Sequence, residues 1–344
     1  MAIIDKPSDY FNTKLYTGNG GAQTITGVNF EPDLIWIKQR NGTGNHVVTD
    51  TVRTVDYQLH TNTTDADSSL TNNVTSTNSD GFVVNTDGEV NGSSDTYVAW
   101  NWLGANGTAS NSNGSITATV SANTTSGCSI VKWSGSGSNA TIGHGLGVAP
   151  SVVITKSIGG SSAWGVYHIS LGNTKILFLN ETGAVGTNVA YWNNTSPTSS
   201  VFTVGSDAAV NHSGNDMIAY CFTEITNYSK FGFYVGDALN KGGPFVYTGF
   251  RPAWIMIKRT DGADTWTMYD NKRIGYNVDN NPLFANANTT ESTDDDLDIL
   301  SNGFKIKRNS GRINTDGANM VYMAFAENPF VTSTDNGSIP ATAR

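Results

Sequence analysis

Pro32-Asp33-Leu34-Ile35-Trp36-Ile37-Lys38 decides the fold of this 344-residue chain, because the pattern occurs three times. Pro150-Ser151-Val152-Val153-Ile154-Thr155-Lys156 and Pro252-Ala253-Trp254-Ile255-Met256-Ile257-Lys258 repeat it: a proline, a short apolar run, and a lysine six residues on. The register continues outward. His46, Trp164 or Trp266 stands fourteen residues after each proline, and a Leu-x-x-Asn follows as Leu59/Asn62, Leu177/Asn180 and Leu283/Asn286. Near each end an Asn (Asn91, Asn211, Asn314) precedes a large aromatic (Trp102, Phe222, Phe325) by eleven residues. Four landmarks held in step are the mark of an internal repeat, and the chain reads as three copies of one unit.

Each copy reads as strands. An aromatic strand ending in glycine opens it: Leu15-Tyr16-Thr17-Gly18, Val131-Lys132-Trp133-Ser134-Gly135, Phe233-Tyr234-Val235-Gly236. Proline suits the first position of the next long strand, where its missing N–H costs no ladder bond. The apolar run after it predicts a strand covered on both faces, with Lys38, Lys156 and Lys258 marking its return to solvent. Asp80-Gly81 and Asn302-Gly303 before alternating residues are hairpin signals. The last strand alternates with period two (Val98, Trp100, Trp102; Ile218, Tyr220, Phe222; Val321, Met323, Phe325). Short strands punctuated by Gly and Asn, with no long helical period, predict an all-β chain of three tandem antiparallel β-sandwich, jelly-roll-like modules with short terminal arms.

The expected boundaries are an N-terminal docking arm over 1–13, repeats over 14–104, 128–226 and 227–330, and a C-terminal tail over 331–344. Residues 105–127, rich in Gly, Asn and Ser, read as a flexible linker, with an added strand at Ile116–Ser121. The short junction at 226–230 predicts that the second and third modules pack together.

Composition narrows the function. Hydrophobic residues make up 38% and charged residues 14%, with 37 glycines, so the surface is polar but nearly neutral. The net charge of −9 offers no basic footprint for a phosphate backbone, which argues against nucleic acid. No apolar run approaches a membrane span, and the first residues do not start a secretory signal, so the expectation is a protein made in the cytoplasm without membrane insertion. Cys128 and Cys221 are too few for a disulfide framework and are read as buried thiols.

The search for chemistry yields little. His46, His60, His144, His168 and His212 occupy no position common to the three copies, and no His-x-His or Cys-x-x-Cys is present. Asp50/Arg53 and Asp270/Arg273 share a register, but carboxylates for glycoside hydrolysis must converge in one cleft, so local ion pairs are expected. The acidic run Asp294-Asp295-Asp296-Leu297-Asp298 lacks the spacing of a calcium loop and reads as solvated. No catalytic residue, cofactor or metal site is therefore assigned. Trp192, in Tyr191-Trp192-Asn193-Asn194, is the candidate for an exposed platform stacking on sugar rings.

Several strings resemble proteins of tailed phages: Gly114-Ser115-Ile116-Thr117-Ala118-Thr119-Val120-Ser121, Gly143-His144-Gly145-Leu146-Gly147-Val148-Ala149-Pro150, and Gly243-Pro244-Phe245-Val246-Tyr247-Thr248-Gly249-Phe250-Arg251-Pro252. The resemblance is to virion structural and tail-fibre proteins, often marine, built from a tandem β-repeat domain, and it carries no catalytic residues. It implies a structural, non-enzymatic virion component, tail fibre or tail-associated, released from the host by lysis. Its implied partners are itself, as a homo-oligomer with a trimer favoured, and other tail proteins. The alternative is a receptor-recognition protein that binds host-surface glycans. Behind these stand a capsid-surface decoration protein and a polysaccharide depolymerase.

Overall fold

The computed structural model of this chain describes residues 3–273, 277 and 280–330. The chain is all-β, in antiparallel sheets, and its thirds repeat one strand order. An opening strand (Phe11–Thr17, Cys128–Ser134, Ser229–Val235) pairs with the closing strand (Thr96–Trp102, Asp216–Phe222, Asn319–Pro329). The closing strand pairs in turn with the proline strand (Leu34–Gln39, Val152–Ser157, Phe250–Arg259). A strand after the His/Trp landmark (Val47–Asp50, Gly165–His168, Thr267–Asp270) and the Leu strand (Tyr57–His60, Lys175–Phe178, Leu283–Phe284) complete each large sheet. A small sheet faces each large one: Gln23–Thr26 with Gly81–Val84 and Val74–Asn78, Ala140–Gly143 with Val201–Val204, and Phe245–Tyr247 with Gly303–Ile306 and Leu297–Leu300.

The unbroken apolar run after each proline now has its cause. Side chains alternate across a strand, and both faces of each large sheet are covered. Leu34 and Trp36, Val152 and Ile154, Trp254 and Met256 enter one core shared by all three copies. Their alternates enter three separate cores between large and small sheets: Ile35 and Ile37, Val153, Ile255 and Ile257. The covering of the proline strand on both faces is as the sequence reading expects.

The shared core is where the closing aromatics meet. Ring centroids of Trp102 and Phe222 are 6.1 Å apart, Trp102 and Phe325 5.6 Å, Phe222 and Phe325 5.5 Å. Three residues at one repeat position thus form a triangle, in the edge-to-face and tilted contacts that aromatic quadrupoles prefer. The thirds of the chain do not stand in a row; they are wrapped around a common centre.

The remaining landmarks are turn chemistry. The buried Asn91, Asn211 and Asn314 accept backbone N–H bonds from Asn19, Ser136 and Asp237, each at 3.0 Å, holding the chain just past the opening strand. At Gly18, Gly135 and Gly236 a Cβ would land on the carbonyl oxygens of Gly92, His212 and Thr315, so only glycine fits. Pro32 and Pro150 precede their strands, whereas Pro252 lies inside one, at a register shift that absorbs its missing N–H.

Two readings of the chain ends and linker need correction. Residues 3–13 are not a free docking arm. Ile4 is buried in the shared core, Ile3 bridges Thr226, and Phe11 stacks on Phe325 at 5.4 Å. The apolar side chains of this segment satisfy the chain's own centre. Residues 105–127 are not a loose linker: Ala109–Asn111 and Ala118–Asn123 extend the second large sheet, the latter pairing with the opening strand from Asn123↔Cys128 to Thr119↔Lys132. The strand expected at Ile116–Ser121 is therefore there, shifted by two residues. The tail at 331–344 lies outside the described residues.

Candidate functional site

The polar landmarks converge on the seams between copies, and they do so cyclically. Trp164 Nε1 donates to the His60 carbonyl at 3.0 Å, Trp266 Nε1 to Phe178 at 2.8 Å, and His46 Nε2 bonds Phe284 at 2.9 Å. Each acceptor is the residue after the Leu landmark of the preceding copy, so the first copy closes on the third. The Asn of Leu-x-x-Asn orients the donor: Asn62, Asn180 and Asn286 Oδ1 accept the backbone N–H of His46, Trp164 and Trp266 at 3.0, 2.8 and 2.8 Å. Backbone bonds follow the same cycle, from Asp67 N to Ile158 O at 3.1 Å, Val185 N to Thr260 O at 2.9 Å, and Glu291 N to Arg40 O at 2.8 Å.

A second set lies deeper. Asp50 accepts from Arg53 Nε at 2.6 Å and, across the seam, from the Tyr220 hydroxyl at 2.8 Å. Asp270 accepts from Arg273 Nε at 2.6 Å and from Trp100 Nε1 of the first copy at 3.1 Å. His168 holds the same register in the second copy and bonds the Tyr322 carbonyl of the third at 3.1 Å. The Asp–Arg pairs are local, as the sequence reading expects, yet each also locks a neighbour. A buried carboxylate with a bonded guanidinium and a further donor is a satisfied structural group. Burial alone would lower Arg53, but Asp50, Tyr220 and Asp67 together outweigh it and push the guanidinium up.

The lysines overturn the expectation that they mark a return to solvent. Lys38, Lys156 and Lys258 are fully buried. Their ammonium groups donate to the carbonyls of Gln39, Ser157 and Arg259 at 2.6, 2.6 and 2.7 Å, closing the loop that follows. Lys156 and Lys258 also reach the Thr64 and Thr182 carbonyls of the preceding copy, at 3.3 and 3.1 Å. Burial lowers each to about 8. A lysine ending an apolar run looks like a strand end in sequence; the loop that folds back over it makes it interior, joined at Lys156 and Lys258 by the preceding copy.

The other candidates separate. Trp192 is not an exposed platform: it is 2% exposed, donates Nε1 to the Lys175 carbonyl at 3.0 Å, and packs edge-on against Tyr167 at 5.8 Å. Asn188 caps a single helical turn, Val189–Trp192, and Asn193 leaves it in a left-handed conformation, which rolls the indole inward beside Val201–Val204. His144 accepts from Leu146 N and bonds the Thr198 carbonyl; His60 contacts Glu89; His212 contacts Asn215. Cys128 and Cys221 are free and buried, and they enter different cores on opposite faces of one sheet, which explains why they do not bridge.

The acidic run is paired rather than solvated. Asp294 meets Arg308 and Arg312, Asp295 and Asp298 meet Lys307, and Asp296 accepts from Tyr269 and Arg312. Burial would raise Asp294, but hydrogen bonds from Arg308 and Ser292 bring it down to about 2. Among the described residues no group of three or more His, Cys, Asp or Glu side chains is placed to hold a metal, and no helix is long and apolar enough to cross a membrane. The space at the shared centre is about 20 Å³, lined by Trp36, Trp102, Trp164 and Trp254 among other side chains, apolar but for Thr61 and Tyr220. That is about one water's volume.

A family model described as a domain of unknown function (DUF7483) matches residues 6–329, crossing all three copies without a break. No curated protein matches the chain.

Proposed function

This chain belongs to the DUF7483 family, and we propose that it is a structural component of a tailed-phage virion, tail fibre or tail-associated. In this reading its fold is three jelly-roll-like sandwich modules closed around one centre. It works by presenting surfaces to other proteins, with no reaction of its own. The observation that carries the reading is where the repeated polar residues are used. The His/Trp donors, the Asp–Arg pairs and two of the three lysines bond across seams between copies. Chemistry-bearing side chains are consumed in holding a rigid body together. The resemblance of Gly114–Ser121 and Gly243–Pro252 to virion proteins supplies the location.

Its partners in this reading are other tail proteins and itself, as a homotrimer. Three equivalent units around a centre suit a neighbour of threefold symmetry, because closed assemblies match surface to surface. Gold-tagged antibody against the chain, imaged on purified particles, should decorate the tail; particles that carry none would overturn the proposal.

A second reading is recognition of host-surface glycans. Trp192 no longer supports it, since the indole is interior. An outer face of the third copy does.

A further inference from the structure

The three copies provide an internal control: a surface residue that only one of them carries is not required by the fold. On the edge strands of the small sheets, Ile25, Ile142 and Val246 occupy one position, paired with Phe82, Phe202 and Phe304. The flanking positions face solvent in the first and third copies, whereas in the second the segment carrying Ser115 and Ile116 covers Thr141, and Gly143 is buried. They hold Thr24 and Thr26 in the first copy, Thr141 and Gly143 in the second, and Phe245 and Tyr247 in the third. Phe245 is 47% and Tyr247 58% exposed. Two aromatic rings stand in water, about 6.7 Å apart along the strand, where the same fold manages with threonine.

The strand opposite departs in the same copy. Lys305 faces Phe245 across the ladder, where the first two copies have Val83 and Thr203, and Asp298 faces Lys305 on its other side. Lys305 and Asp298 open onto a groove of about 810 Å³ that Asn240, Lys241, Asp295, Lys307 and Arg308 complete. Four cations line this groove against two carboxylates, on a chain whose net charge is −9. Lys307 is held by Asp295 and Asp298 and Arg308 by Asp294, which leaves Lys241 and Lys305 to give the groove its positive excess.

We propose that this face of the third copy binds an acidic polysaccharide, one bearing uronic or similar carboxylate groups. The rings of Phe245 and Tyr247 would stack on the apolar faces of successive sugars. Lys305 and Lys241 meet the carboxylates, Asn240 accepts from or donates to hydroxyls, and Asp298 accepts from them. An exposed aromatic body beside polar tips is the composition such a ligand needs. The local positive excess in an otherwise acidic protein selects for negative charge, and it makes binding salt-dependent. A protein partner is the poorer fit, because a docking patch of this size would carry apolar side chains where the groove carries charge. The proposal deepens the glycan-recognition reading and leaves the structural one independent of it.

The test is calorimetric titration of the full chain with polygalacturonate, and with neutral dextran in parallel. Expected is saturable binding to polygalacturonate that weakens as salt rises, with none to dextran. The variant F245T/Y247T installs the first copy's own residues on the same strand, so it should keep the thermal midpoint and lose about tenfold or more in affinity. K305T, the second copy's residue, should weaken binding and flatten its salt dependence. No saturable binding, or equal binding by F245T/Y247T, overturns the proposal. So does self-association of the wild type that F245T/Y247T abolishes, which would make the face a protein contact. None of these outcomes touches the labelling of particles, so the two readings fail separately.

Discussion

At Gly135 a side chain has nowhere to go. A Cβ would meet the His212 carbonyl oxygen, and the two turns are fixed against each other by backbone bonds from Gly135 N to Asn215 O at 2.8 Å and from Gly214 N to Gly135 O at 3.2 Å. Gly135→Ala is expected to cost about 2–3 kcal/mol by overpacking, read as a lower urea midpoint at unchanged slope. Gly147→Ala is the control. A side chain there has open space, with strain only from its φ of 72°, so the loss should be smaller.

The buried titratable residues set a pH profile. Burial lowers His46 and His168, the latter to about 4. Their folded values lie below the ordinary 6.5, so their contribution is full above pH 6.5 and is lost as pH falls toward 4. For His168 the loss is on the order of 3 kcal/mol. Thermal midpoints should fall over that window, and His168→Gln should remove much of the slope. Lys38, Lys156 and Lys258, lowered to about 8 from 10.5, act in the same direction at higher pH. Their contribution is complete above 10.5 and lost as pH falls through 8. Tyr220 and Tyr269, raised by burial, begin to destabilise the fold once pH exceeds 10. Stability should therefore climb between pH 8 and about 9.5; a decline there would contradict buried lysines.

At the scale of elements, the seam between the third and first copies is closed without a chain connection between adjoining copies. Arg40 donates Nε to Glu291 Oε2 at 2.8 Å there, beside the bond of Glu291 N to the Arg40 carbonyl. Burial would raise Glu291, but Arg40 and Arg273 hold it below its usual value. A double-mutant cycle with Arg40→Ala and Glu291→Ala should return a coupling of about 1 kcal/mol, shrinking with salt. Coupling indistinguishable from zero at low salt would mean that the backbone bonds close the seam alone. The Trp donors can be tested in the same way. Trp164→Phe removes the bond to the His60 carbonyl and keeps most of the packing, at an expected cost of about 1–2 kcal/mol.

For the whole molecule, one core is common to all three copies, and each large sheet turns an apolar face to it. Strip away two copies and the face of Ile130, Ile154, Ile218, Tyr220 and Phe222 meets water. The full chain should unfold in one calorimetric transition, and a fragment of residues 105–226 alone should aggregate or bind hydrophobic dye. Three separable transitions, or a soluble, folded fragment, would mean that the peripheral cores suffice.

Much of this was legible in the residues. The triplicate Pro-to-Lys run, the closing aromatics and the Gly/Asn turns give antiparallel strands, because strand period, turn chemistry and proline's missing donor are local properties. The local Asp–Arg pairs are legible for the same reason: three residues separate the partners. What the sequence could not reveal is which surfaces become interior. Lys156, Trp192 and residues 3–13 all look like exposed features along the chain, and each is buried by contacts outside its own segment: the Thr64 loop of the preceding copy, the strands of Tyr167 and Lys175, and the shared centre. Sequence determined the strand repeat and its turns; the arrangement of the copies decided burial. Side-chain environment depends on contacts between segments that are separate in the chain, and no local pattern encodes those.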